Sequence, residues 1–190
     1  MKKLLQSLND KQREAVLYFD SPLLILAGAG SGKTRVITYK IAYMVRELSF
    51  SPERILAITF TNKAAREMRE RVEELLGKEV PVLVSTFHSF CVRLLRSHAG
   101  KVGLKPNFII VDSEDKKRLL KEVVKELNLD SELYSPSALS SVISNIKNGT
   151  FSLESAGIYY ERISPIFETY NKKLKELNAV DFDDLLLYGR

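Results

Sequence analysis

The sequence has little of what marks an exported or membrane-bound chain. A single cysteine, Cys91, excludes an internal disulfide framework and fits a reducing compartment. No uninterrupted apolar run reaches the ~18 residues that a bilayer-spanning helix needs. The N-terminus begins Met1-Lys2-Lys3-Leu4 but turns polar at Gln6, Ser7, Asn9 and Asp10. It therefore lacks the apolar core of a secretory signal, and a cytoplasmic setting is expected. His88 and His98 are the only histidines, too few beside one cysteine to compose a zinc site. Internal repeats and low-complexity tracts are absent. What remains is an ordinary globular composition, 45% apolar and 28% charged over 190 residues, enough for one substantial core or for a core with an inserted subdomain. The formal charge of +5 leans toward a polyanionic partner, although many proteins of this charge bind no nucleic acid.

Along the chain, apolar periodicity predicts a first helix over residues 9–18, closed by the turn signal Asp20-Ser21-Pro22. Leu23-Leu24-Ile25-Leu26-Ala27 is a continuous apolar run, which predicts a strand buried on both faces. After a glycine-rich stretch, Ile37, Ile41, Met44, Val45 and Leu48 recur at helical spacing. Residues 55–60 predict a second buried strand, and Ala64, Ala65, Met68, Val72 and Leu75 a second helical stripe. Residues 80–85 and 108–111 read as two further strands. This alternation predicts a parallel α/β sheet with its ligand at the C-terminal strand ends. Past Asp112 the pattern becomes helical: one stripe at Leu119, Leu120, Val123, Val124 and Leu127, a second at Leu139, Val142, Ile143 and Ile146, a third at Ile166, Tyr170, Leu174 and Leu177. The second stripe is introduced by Ser135-Pro136 and ended by Gly149.

Ala27-Gly28-Ala29-Gly30-Ser31-Gly32-Lys33-Thr34 lies between the first predicted strand and the next predicted helix, the context a phosphate-binding P-loop requires. Small residues let backbone N–H groups turn inward around phosphates, Lys33 can reach the β- and γ-phosphates, and the Thr34 hydroxyl can ligate Mg²⁺. The strict pattern has glycine where this chain has Ala27; three glycines remain, and the loop is expected to keep its fold. The competing reading is a glycine-rich turn with an accidental Gly-Lys-Thr.

Three further segments narrow the choice. Leu8-Asn9-Asp10-Lys11-Gln12-Arg13-Glu14-Ala15-Val16 resembles the Q motif of UvrD/Rep/PcrA-type superfamily 1 DNA helicases. Thr59-Phe60-Thr61-Asn62-Lys63-Ala64-Ala65-Arg66-Glu67-Met68 resembles their motif Ia, and Ser85-Thr86-Phe87-His88-Ser89-Phe90 their motif Ib. A fourth segment, Asp181-Phe182-Asp183-Asp184-Leu185-Leu186, resembles the point where the family's inserted domain returns to the motor domain. The resemblance implies an α/β fold, a RecA-like P-loop NTPase sheet with an inserted all-helical subdomain. Residues 1–112 would form the first part of the ATP-binding motor domain, 113–180 the insert and 181–190 the return. It further implies ATP and Mg²⁺ as cofactors, single-stranded DNA or a single-strand/duplex junction as partner, 3′-to-5′ movement, a place in repair or replication, and a nucleoid-associated location.

Each matched residue also has a reading of its own. The Gln12 amide carries both donor and acceptor and can pair with the N6/N7 edge of adenine; alone, it reads as an exposed helix glutamine. Arg35 sits near base or phosphates, or is a solvated helix arginine. Thr59, Phe60, Thr61 and Asn62 end a strand and start a helix, so Thr61 and Asn62 can donate to backbone phosphates. Phe60 either packs in the core or stacks on an unpaired base. Thr86, Phe87 and His88 follow another strand end; His88 suits a phosphate or sugar contact or, as a lone histidine, a structural role, and Phe87 or Phe90 has packing as its alternative. The acidic cluster Asp181, Asp183 and Asp184 is read as capping or orienting the returning helix, not as a metal site.

Hydrolysis of ATP also needs an acid to hold the metal and positive charge on the transferring phosphoryl group. No apolar strand ending in Asp-Glu occurs in the chain. The expectation is therefore a front end that binds ATP, and also single-stranded DNA, without turnover, the second motor domain lying in a missing C-terminal part of the same polypeptide. Two rivals stand beside it, a small P-loop nucleoside or nucleotide kinase and a short binding module without motor activity.

Overall fold

The computed structural model describes residues 2–150 and 160–189. Residues 151–159 and Arg190, parts of the expected insert and return, lie outside the described residues. The chain divides into two compact units, Met1–Phe87 and His88–Arg190.

The first unit runs α1 (Lys2–Leu5), α2 (Asp10–Leu17), α3 (Lys33–Arg46), β1 (Leu56–Thr59), α4 (Asn62–Leu76) and β2 (Leu83–Thr86). Helix α2 starts where a capping box dictates: the Asn9 side chain accepts from the Gln12 N–H while the Gln12 side chain accepts from the Asn9 N–H. Thr61 caps α4, and Gly77 ends it in the left-handed conformation. Ala65, Met68 and Val72 form the buried face of α4 and pack with Ile41 of α3 and with Ile55, Ala57, Val82 and Val84 of the strand segments. A second cluster joins Leu5, Leu8 and Val16 to Val36 of α3. Strands β1 and β2 pair in parallel, with Thr59 opposite Thr86.

One expectation fails here. Residues 23–27 form no strand, and Leu24 and Leu26 are 80% and 86% exposed. Ile25 alone packs inward, against the α2–α3 cluster. A run apolar on both sides becomes a buried strand only with a ladder partner and cover on both faces; among the described residues no strand pairs with this segment.

The second unit contains α5 (Phe87–His98, beginning one residue ahead of it), β3 (Ile109–Val111), α6 (Ser113–Glu126), α7 (Pro136–Lys147), α8 (Tyr160–Glu176), β4 (Ala179–Asp181) and α9 (Phe182–Leu187). Asp112 caps α6, and Ser135 with Pro136 opens α7. The predicted stripes meet in one core of Leu119, Leu120, Val123, Leu139, Ile143, Ile166, Tyr170 and Leu174. Leu177, assigned to the third stripe, is half exposed because α8 has already ended at Glu176. Strand β4, absent from the sequence reading, pairs in parallel with β3, Val111 opposite Asp181. Where the alternation predicts a single sheet, the described residues form one two-stranded parallel ladder in each unit.

Candidate functional site

The loop between residues 27 and 33 owes its shape to two left-handed glycines, Gly30 (φ 74°) and Gly32 (φ 88°). Ala27 has no such requirement, which is why alanine is tolerated where the strict motif has glycine. The Ser31 hydroxyl donates to the Gly28 carbonyl at 2.7 Å. The Lys33 ammonium folds back onto the Ala27 and Gly28 carbonyls, 2.7 Å from each. Gly32 is the N-cap of α3 and has no side chain to cap it. The first N–H groups of α3 therefore have neither an intrahelical partner nor a side-chain cap, and they carry the positive end of the helix dipole. Lys33 and Thr34, both exposed, are the first two residues of that helix. The arrangement is one that an anion can complete: a cation bent over a turn, beside the uncapped N–H groups of a helix start.

Gln12 is brought to this loop. Its Oε1 accepts from the Asn9 N–H at 3.2 Å, and its Nε2 donates to the Ser31 carbonyl at 3.1 Å. A Cβ on Gly32 would lie 2.7 Å from that Nε2, so glycine there serves both a positive φ and a close approach. Arg35 is engaged elsewhere, donating to the Ser7 carbonyl at 2.9 Å with its guanidinium 5.4 Å from the Tyr39 ring centre. It lines an open groove of about 540 Å³ with Ser7, Tyr39, Arg46 and Arg71.

Sequence reasoning missed Lys40. From α3 it donates to the carbonyls of Ala15 (3.1 Å), Val16 (3.5 Å) and Tyr18, and it lies 4.1 Å from the Phe19 ring centre. Burial lowers its pKa. The available signal was the end of α2, which has no glycine cap before Pro22 and so needs a donor from elsewhere for its last carbonyls.

The other predicted residues gather at the strand ends. Because Thr59 is opposite Thr86, the segments leaving β1 and β2 emerge side by side. Phe60 is 96% exposed and Phe87 58%, so core packing is not what holds either ring. The Thr59 hydroxyl donates to the Thr61 carbonyl, and Thr61 Oγ1 accepts from the Ala64 N–H as the cap of α4. Asn62 opens that helix, exposed. Thr86 is buried. His88, the first residue of the second unit, is exposed and meets the Phe182 ring edge-on at 5.8 Å.

In the second unit the acidic cluster is a structural centre. Asp181 caps α9, its Oδ1 accepting from the Asp184 N–H. Its Oδ2 receives Lys147 (3.0 Å), Lys116 (3.1 Å) and the Tyr170 hydroxyl (2.9 Å). Lys147 also reaches Asp184 at 2.8 Å, and Lys116 reaches Asp183 at 2.8 Å. Burial opposes ionisation of Asp181, but Lys147 and Lys116 outweigh it and hold the carboxyl down at about 2. For Asp184 burial wins, with the Asp181 charge adding to it, and the pKa is raised. Burial and the neighbouring Asp181 carboxylate push the Tyr170 hydroxyl far above its usual range. Among the described residues no group of His, Cys, Asp or Glu is placed to hold a metal ion, and no helix is long and apolar enough to cross a membrane.

Residues 8–189 match the family model described as the UvrD/REP helicase N-terminal domain. The ATP-dependent DNA helicase PcrA of Staphylococcus epidermidis (strain ATCC 35984) is 46% identical over 193 residues, an overlap of 98% of this chain and 26% of that protein. PcrA of Staphylococcus aureus (strain Mu50) is 45% identical over the same length, with the same coverage. The chain thus spans about a quarter of the length of these curated relatives, 26% in both cases.

Proposed function

The chain belongs to the UvrD/REP helicase family, and from that premise we propose that it is the ATP-binding front end of a DNA helicase that moves 3′ to 5′ along single-stranded DNA in repair or replication. The observation that carries the reading is the glycine loop: Lys33 bent over it, an uncapped helix start behind it, and Gln12 docked on its Ser31 carbonyl. In this reading the N–H groups of residues 28–34 and the Lys33 ammonium hold the β- and γ-phosphates. Gln12 reads adenine, and Arg35 moves from Ser7 to the nucleotide. The Thr34 hydroxyl would help to hold Mg²⁺, which when bound would supply neutralising charge to the phosphates. Phe60 and Phe87, exposed at the ends of β1 and β2, stack on unpaired bases, Thr59, Thr61, Asn62 and Thr86 lie along the nucleic-acid backbone, and His88 in its own unit meets a phosphate or sugar. Residues 113–180 form the inserted helical subdomain and 181–190 its return. The protein works in the cytoplasm at the nucleoid, with a second motor domain of the same polypeptide as its partner.

In this reading the chain binds ATP and single-stranded DNA, and because its 190 residues contain no apolar run ending in Asp-Glu, it does not turn ATP over. Titration calorimetry with ATP and GTP in Mg²⁺ is the test. ATP is expected to bind more tightly than GTP, with no phosphate release when oligo-dT is added. Absence of binding by either nucleotide, or rapid DNA-stimulated hydrolysis, would overturn the respective half of the proposal.

A further inference from the structure

We infer that Gln12 shapes the phosphate loop as well as meeting the base, so that adenine and triphosphate are bound through one shared amide. The inference rests on the nucleotide-binding reading above and adds to it a second task for the same side chain. A glutamine amide offers two N–H donors and two acceptor lone pairs. One lone pair is taken by the Asn9 N–H and one donor by the Ser31 carbonyl. One donor and one acceptor remain, the pair that the N7/N6 edge of adenine asks for. Gln12 can therefore meet a base without releasing the loop.

What it holds is significant. The peptide joining Ser31 to Gly32 is planar and trans, so its C=O and N–H point in opposite directions. Fixing the Ser31 carbonyl on Gln12 turns the Gly32 N–H away from Gln12, and inward N–H groups are what bind an anion in a loop of this kind. The approach at this distance uses the space left by the missing Cβ of Gly32. A Cβ there would sit 2.7 Å from Nε2, and the φ of +88° is in any case strained for other residues. Adenine binding then stiffens the amide that holds the loop, and a correctly formed loop pre-aims the amide at the base. Gln12 is in this sense a positioning residue for phosphate.

The probe that separates the two tasks is inorganic tripolyphosphate, which has no base. Binding is measured calorimetrically on the full chain and on Gln12→Met, which keeps the length of the side chain and removes its hydrogen bonds. Tripolyphosphate affinity is expected to fall about fivefold, the worth of one net hydrogen bond. Unchanged tripolyphosphate affinity in Gln12→Met, with only the preference for ATP lost, overturns the inference and leaves Gln12 as a base reader. Asn9→Ala removes the other half of the same capping box but leaves Nε2 opposite Ser31. It is expected to lower the melting temperature and keep tripolyphosphate affinity. Equal loss in both variants would reduce Gln12 to a helix cap and also overturn the inference. An unaltered chain that binds neither ATP nor tripolyphosphate defeats the nucleotide reading itself, and the inference falls with it.

Discussion

Lys33 and Lys147 are the same side chain in opposite circumstances. Lys33 lies exposed on the glycine loop and is engaged by two carbonyls of its own turn. Lys147 is buried, bonded to two carboxylates and packed 5.0 Å from the centre of the Tyr170 ring. The first site has donors in excess of acceptors and is open to solvent. In the second every buried polar side-chain atom has a partner among the described residues. A cation that the fold has already neutralised is structural. A cation held provisionally by neutral carbonyls is available to an anion, because exchanging them for phosphate oxygens gains charge-assisted hydrogen bonds. This contrast can be broken in the order of the effects it predicts.

The largest effect is expected for Lys147→Met, which strands Asp181 and Asp184 without their shared cation. Removing one partner of a buried pair costs about 3–5 kcal/mol, measurable as a lower urea midpoint for the second unit. Adding Asp184→Asn removes one stranded charge while keeping an acceptor for the Asp181 N–H, and is expected to recover part of the loss. Full stability in Lys147→Met would show the network to be incidental. Lys33→Met should do the reverse. ATP affinity is expected to fall roughly tenfold to a hundredfold, the worth of a hydrogen bond to a charged group, with the urea midpoint unchanged. A destabilised Lys33→Met variant would erase the distinction between the two lysines.

Smaller again is Phe60→Ala. If an unpaired base stacks on this ring, oligo-dT affinity drops by about 1–3 kcal/mol. Stability stays where it was, since a ring 96% exposed contributes no core. The gentlest probe is acid. Asp181 has its folded pKa depressed to about 2, so its contribution is complete above the ordinary carboxylate value near 4 and is lost as pH falls from about 4 towards 2. Asp184, raised by burial, has the opposite sign: it opposes folding at neutral pH, and protonation relieves it as pH falls. The urea midpoint of the second unit should therefore fall at the low end of that window, and less steeply in Lys147→Met.

The legibility of the two sites in the sequence differs for the same reason. The glycine loop and the strand ends at Thr59 and Thr86 carry a local signal, since a strand end runs straight into its loop or helix, whereas Gln12 is singled out by motif resemblance and its contact with Ser31, 19 residues away, has no local pattern. The buried network joins Lys116 and Lys147 to Asp181, partners that local periodicity cannot link. Lys147, the last residue of an amphipathic helix, carries the pattern of a solvated C-terminal lysine. Strand β4 was missed because Ala179-Val180-Asp181 is too short to have a period. The segment at 23–27 was misread in the other direction. Its apolar run specifies a strand that needs a neighbour, and pattern alone does not say whether one is beside it.

Lys40 has a mechanical consequence. It fastens the last carbonyls of α2 to the middle of α3, while at the opposite end Gln12 is tied to the turn from which α3 begins. A rod of eight residues, about 12 Å long, is thereby riveted at both ends to the same companion and has no joint of its own. The two helices are expected to shift together rather than separately, so that a displacement of the glycine loop would be passed to Tyr18 and Phe19.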